Sequence, residues 1–211
     1  MNETDKQRII ARYNKRLEQF GATIEALASG NENRRAMRFN TLLEAGVQPG
    51  DHILDLGCGF GDLYAFTQQL GLDIKYTGID INPNLVAEAQ QRFPGVDFRT
   101  ADIQHDAIGQ FDFVLSTSCF NLKMQHQDNY TFAGDILQAA YKCARKGVAI
   151  DFLTSYVDFK GNAEEAFYYE PEKMFPVAKA ITRRVTLRHD YPLFEFCLYL
   201  YPDFEGWHNK A

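Results

Sequence analysis

Apolar residues recur along this chain at two periods, three to four and two, and the order in which the periods alternate predicts a layered fold. Ile9, Ile10, Tyr13, Leu17, Phe20, Ile24 and Leu27 mark one face of an amphipathic helix that Ser29-Gly30-Asn31 would end. Met37, Phe39, Leu42 and Leu43 mark a second helix from about Asn33 to Ala45, with Gly46 beyond its end. From there the pattern alternates. Short apolar runs at His52–Leu56, Ile74–Ile79, Val96–Thr100, Phe111–Ser116 and Gly147–Leu153 read as strands. Helical segments at Asp62–Leu70, Asn82 to about Arg92 and Asp128–Ala144 lie between them. Asn82-Pro83 is a helix start with proline at the first helical position. Strands separated by helices imply a mostly parallel sheet covered on both faces. The last third differs: Glu170-Pro171 opens a helix that Pro176 is expected to kink or restart. Thr182–Asp190 and Phe194–Tyr201 are rich in β-branched and aromatic residues and read as a terminal hairpin around Pro192. The expected architecture is a doubly wound α/β fold. Residues 1–46 would form a helical cap outside the sheet, and residues 47–211 the main domain.

Composition narrows the function only at its edges. The 211 residues, 45% hydrophobic and 24% charged, suit one folded unit. Twenty-two basic against 28 acidic residues give a net charge of −6, which argues against a nucleic-acid partner, because phosphate-backbone binders present a basic face. The four cysteines form no C-x-x-C pair, no Cys/His group has metal spacing, and no apolar run is long enough for a membrane span. A cytoplasmic protein without a metal, acting as a monomer or homodimer, is the expectation.

The chemistry concentrates where strands end. Ile53-Leu54-Asp55-Leu56-Gly57-Cys58-Gly59-Phe60-Gly61 carries a buried strand into three glycines and then a helix. The spacing is G-x-G-x-G rather than the G-x-G-x-x-G of dinucleotide-binding loops, and an acid precedes it. A carboxylate there would repel a pyrophosphate, yet suits a ligand bearing an ammonium and a sulfonium, whose carboxylate glycine amides would receive. A second acid, Asp80, ends the second strand where it can accept both hydroxyls of a ribose. A third, Asp102, follows the third strand and can accept from an adenine amino group, with Ile81 and Ile103 on the ring faces. Ser116 ends the fourth strand. Near the ends of strands four to six, Asn121, His189 and Tyr169 are candidate catalytic residues: Asn121 as an amide acceptor, His189 as a base near neutral pH, and Tyr169 within an aromatic segment, Tyr156–Tyr169, of lid-like length. Asp151, inside the fifth strand, needs a partner because an unpaired buried carboxylate is costly. Tyr13, Arg35 and Arg38 on the leading helices are candidates for an acidic substrate or the cofactor carboxylate.

The stretch from Ile53 to about Leu122 resembles the class I, Rossmann-like S-adenosylmethionine-dependent methyltransferases. It has the glycine loop, the acids of strands two and three, and the Phe111-Asp112-Phe113-Val114-Leu115-Ser116 strand in their order. The resemblance extends to an uncharacterised, small-molecule-type subfamily. It implies a seven-stranded sheet with an antiparallel last strand inserted beside strand six, S-adenosylmethionine as cofactor, S-adenosylhomocysteine as product, and direct SN2 methyl transfer. The segment after strand four, Ser116-Thr117-Ser118-Cys119-Phe120-Asn121-Leu122, lacks the Asn/Asp-Pro-Pro-aromatic motif of enzymes that methylate planar base amines. A small-molecule oxygen or nitrogen acceptor is therefore expected. The competing expectation is a catalytically inactive protein of the same fold that binds the cofactor.

Overall fold

The structure is a computed structural model, and it describes residues 1–28, 30–159 and 165–203. Ser29 and residues 160–164 of the aromatic segment lie outside the described residues. The chain runs α1 (Glu3–Phe20), α2 (Glu32–Leu43), β1 (His52–Leu56), α3 (Asp62–Gln69), β2 (Lys75–Asp80), α4 (Pro83–Arg92), β3 (Asp97–Thr100), β4 (Phe111–Ser116), α5 (Asn129–Cys143), β5 (Ala144–Leu153), α6 (Pro171–Ile181), β6 (Arg184–Arg188) and β7 (Glu195–Tyr201).

The seven strands form one sheet in the order β3-β2-β1-β4-β5-β7-β6. β1 to β5 pair in parallel, and β7 lies antiparallel between β5 and β6. Alternation along each strand sorts side chains onto two faces. Leu54, Val114, Val148, Ile150 and Phe152 bury against α5 and α6, through Phe132, Ile136, Leu137, Met174 and Ala178. Ile53, Phe113, Leu115 and Ala149 bury against α2, α3 and α4, through Phe39, Leu42, Leu63, Val86 and Ala89. The strand order reverses between β1 and β4, and open α/β sheets place their ligands at the carboxyl ends of the strands beside such a switch.

α1 belongs to neither layer. Asp5 accepts from the backbone N–H groups of Gln125 and His126, both at 3.0 Å. Arg8 donates to the Lys123 carbonyl at 2.6 Å. Asn14 accepts from the Asn82 and Asn84 amides at 2.9 and 3.1 Å. The helix therefore lies across the loops at the carboxyl ends of the strands.

Two expectations need correction. The first helix stops at Phe20, not near residue 29. Gly21 takes φ 66° and returns its N–H to the Leu17 carbonyl, so Ile24–Leu27 fold back as turns although their spacing continues the helical period. Pro176 does not restart α6, which runs continuously from Pro171 to Ile181. The Asn82 cap is as expected: its side chain accepts from the Asn84 N–H at 3.0 Å ahead of Pro83.

Candidate cofactor site

At the switch point β1 delivers Gly57, Cys58, Gly59 and Gly61 into a turn with no room for a side chain at Gly57 or Gly61. Gly57 has φ 78°, and a Cβ there would lie 2.0 Å from the Cys119 sulfur. Gly61 has φ 77°, and its Cβ would meet the Phe98 ring at 2.7 Å. The loop therefore packs backbone directly against the segment after β4 and against β3.

Three carboxylates surround this turn. Asp55 is buried and accepts from the Tyr76 hydroxyl at 2.5 Å. Burial pushes its pKa up to about 7, against the pull of that hydrogen bond and with help from Asp80 and Asp62. Asp80 accepts from Gly59 N–H at 3.1 Å and Asn82 N–H at 2.9 Å, so the strand-two acid also fixes the glycine loop; burial raises it too. Asp102 accepts from Gln104 N–H at 3.1 Å and pairs with Lys6 of α1 at 3.2 Å. All three line one cavity, together with Gly57, Cys58, Gly59, Ile81 and Ile103. α1 and the turn after it supply the opposite wall through Ile9, Tyr13 and Leu27. Burial, with Cys119 and Asp80 nearby, pushes the Tyr13 hydroxyl up to about 12, so it stays protonated.

Not every residue singled out from the sequence reaches this cavity. Gly61 turns the chain into α3 beside the ring of Phe98. Ser116 is buried and donates to the Leu56 carbonyl at 2.7 Å, tying β4 to β1. Asn121 lies between two cavity-lining residues, Phe120 and Leu122; its Oδ1 is buried and has no hydrogen-bond partner among the described residues. Tyr169 is a core residue: fully buried, ringed by Tyr130, Phe152 and Phe167, with its hydroxyl accepting from Asn129 at 3.4 Å. His189 is exposed against the rings of Tyr156 and Phe196, at the end of the edge strand β6, with β5 and β7 between it and β4. Tyr156 and Phe159 are also exposed, and neither lines the cavity. What the sequence did not single out is the pair Thr117 and Ser118, both on the cavity wall, and Lys6 on Asp102. Two hydroxyl residues directly after a buried strand were the available signal for the pair.

The donor set fits a cationic nucleoside and not a pyrophosphate. Four acids, Asp55, Asp62, Asp80 and Asp102, line the wall beside Arg35 and Arg38, and both arginines already hold carboxylates; an acid-rich lining attracts a sulfonium and repels a dianion. Comparison with known proteins agrees. Residues 53–147 match the model of a methyltransferase domain. The chain is 34% identical over 156 residues to Rv1506c of Mycobacterium tuberculosis, whose name assigns it provisionally to the methyltransferases; the match covers 69% of this chain and 90% of that one.

The chain belongs to the class I S-adenosylmethionine-dependent methyltransferases. Within this family, trans-aconitate 2-methyltransferase of Escherichia coli K12 is 40% identical over 79 residues, covering 37% of this chain and 31% of that enzyme. Magnesium protoporphyrin IX methyltransferase of Synechocystis, solved with S-adenosylhomocysteine, superposes with a TM-score of 0.64 at 17% identity, over 92% of this chain and 98% of that one. As in this methyltransferase family, the cofactor is S-adenosylmethionine. Among the described residues no group of His, Cys, Asp and Glu is placed to hold a metal ion, and no helix is long and apolar enough to cross a membrane.

Proposed function

We propose that the protein transfers a methyl group from S-adenosylmethionine directly to an oxygen or nitrogen atom of a small molecule. The observation that carries this reading is the continuity of one cavity. It runs from Asp80, Asp102, Ile81 and Ile103, past Asp55 and the glycine loop, to Thr117, Ser118, Cys119 and Phe120 after β4, under α1. In this reading Asp80 holds the ribose hydroxyls, and Asp102 accepts from the adenine amino group between Ile81 and Ile103. The backbone at Gly57, Cys58 and Gly59 carries the amino-acid end, with Asp55 facing its ammonium, and Gly61 turns the loop into α3. Ser116 supports the turn from behind. The bound cofactor supplies an electrophilic methyl carbon on a positively charged sulfur.

The chain's own contribution is alignment and enclosure, which is most of what such a transfer requires. α1 shields the site from water through Ile9 and Tyr13, and the apolar lining of Leu56, Phe120 and Ile136 suits a compact acceptor. Cys119 is no nucleophile, because burial pushes its thiol up and it donates to the Leu56 carbonyl at 3.3 Å. Asn121, beside the cavity with an unpartnered amide oxygen, stays the candidate for an acceptor-side contact; Tyr169 and His189 lack that access. Four free thiols accord with a cytoplasmic setting.

The test is transfer of radiolabelled methyl from the cofactor to a small-molecule extract. Labelled product from wild type, absent with Gly59→Arg, is expected. Cofactor binding without any transfer would support the non-catalytic alternative instead.

A further inference from the structure

Behind the loop that follows β4 lies a buried polar cluster that cofactor binding does not use. Asp151 sits within β5, 3% exposed, and its carboxylate accepts from the Ser118 N–H at 2.7 Å and from the Thr117 hydroxyl. Ser118 is one of two non-glycine residues with positive φ among the described residues, at 60°, a conformation that persists only when its surroundings enforce it. Asp151 enforces it here. On the neighbouring strand Glu195 is gripped by Arg38 of α2, with Nε at 2.8 Å and Nη2 at 2.6 Å. Thr117, Ser118 and Arg38 line the cavity, whereas Asp151 and Glu195 stand behind them.

Two features of this arrangement select the acceptor. First, with Asp151 ionised the single proton of the Thr117 hydroxyl is committed to it, so toward anything else Oγ1 is an acceptor. It can receive an O–H or N–H and repels a carboxylate oxygen. Second, both arginines on the wall already serve carboxylates: Arg35 pairs with Asp62 and Glu32, both at 2.6 Å, and Arg38 with Glu195. An anionic acceptor would find both guanidiniums already engaged.

We infer that Thr117 and Asp151 form the proton-accepting wall of the acceptor pocket, and that the acceptor's nucleophile is a hydroxyl or amine that carries its own proton, not a carboxylate. This rests on the methyl transfer proposed above and narrows it. In the step, the acceptor's oxygen or nitrogen bonds to the methyl carbon while the carbon–sulfur bond breaks and sulfur keeps that electron pair. The acceptor's proton passes to Thr117 Oγ1 as the Thr117 proton passes to Asp151. Thr117 touches the acceptor; Asp151 is a positioning residue and the final proton site. Burial, and next the Glu195 carboxylate, hold Asp151 above the usual carboxylate range, against Arg38, Thr117 and Ser118. Glu195 and Cys197 face it from β7, Arg38 from α2, Tyr191 from the β6–β7 connection and Cys119 from the loop after β4.

The experiment uses tritiated S-adenosylmethionine with a small-molecule extract supplemented with catechol, tyramine and trans-aconitate, and treats the products with alkali. Methyl esters release volatile labelled methanol, whereas ethers and methylamines do not. Base-stable product is expected. Turnover should fall about 100-fold in Asp151→Asn and Thr117→Val, the scale of general-base catalysis, and recover in Thr117→Ser. Wild-type turnover should rise with pH through the Asp151 titration, and Asp151→Asn should abolish that rise. A readout independent of turnover is carboxyl-carbon NMR of the S-adenosylhomocysteine complex, in which Thr117→Val shifts the Asp151 titration. Base-labile product, or full activity in Thr117→Val, overturns the inference while leaving methyl transfer intact. No product from wild type that binds the cofactor overturns both.

Discussion

Replacing Gly57 by alanine tests the packing of the glycine turn more sharply than any charge change. The new Cβ would sit 2.0 Å from the Cys119 sulfur, where carbon and sulfur need well over 3 Å. The sulfur cannot withdraw freely, since the carbonyl oxygens of Leu56 and Thr117 crowd it at 3.3 and 3.4 Å. Forced overpacking costs about 1–3 kcal/mol, and a left-handed backbone with a Cβ about 1–2 kcal/mol more. Gly57→Ala should therefore lose about 2–5 kcal/mol, which lowers the midpoint of thermal unfolding by about 5–20 °C in a chain of this size. Cys119→Ala separates the two contributions. The Cys119 Cβ would lie 3.5 Å from the new methyl, an ordinary contact, so the double variant should recover the overpacking part and keep only the backbone cost. The assay is a double-mutant cycle on unfolding free energies, with an expected coupling of about 1–3 kcal/mol. Additive effects, or a Gly57→Ala variant as stable as wild type, would refute the packing of the loop against the segment after β4.

Other consequences follow from the same geometry. Asp80→Ala removes a carboxylate that fixes the loop and, in the proposed binding mode, holds the ribose; at about 1.5–3 kcal/mol for hydrogen bonds to a charged group, calorimetry should find S-adenosylmethionine bound roughly 10- to 150-fold more weakly. Asp55, with a pKa near 7 against an ordinary 3.8, is largely protonated below neutrality, and a cationic ligand favours its ionised form. Binding at pH 6 should therefore release protons and tighten as pH rises through 7. Titrations in buffers of different ionisation enthalpy read this directly, and Asp55→Asn should abolish it. Arg38→Met strands the buried Glu195 carboxylate and should cost about 3–5 kcal/mol in chemical denaturation, with much of the loss returned by Arg38→Met/Glu195→Met.

Much of the fold was legible because the residues that define it act locally. Asn82-Pro83 starts α4 through its own side chain and ring. The run from Ile53 to Gly61 combines a period-two strand with glycines in left-handed conformations. The acids Asp55, Asp80 and Asp102 were legible because parallel strands with one direction deliver their ends to one rim. What escaped depends on distant partners. Gly21 ends α1 although the apolar spacing continues, because the period reports which face is apolar and not where the chain turns. Arg38 and Glu195 meet across 157 positions, and no local pattern announces their pairing. His189 stands at a strand end on the ligand side, as the sequence suggests, but the insertion of β7 sets it two strands away from β4. Tyr169 belongs to an aromatic cluster in the core, and composition alone does not distinguish a core ring from a pocket ring.

The most direct measurement is a crystal structure with S-adenosylhomocysteine. Ribose hydroxyls should lie on the Asp80 carboxylate, adenine between Ile81 and Ile103 with its amino group toward Asp102, the amino-acid end on the glycine turn near Asp55, and the sulfur facing Thr117. A nucleoside bound anywhere else, or one whose ribose makes no contact with Asp80, would contradict this binding mode.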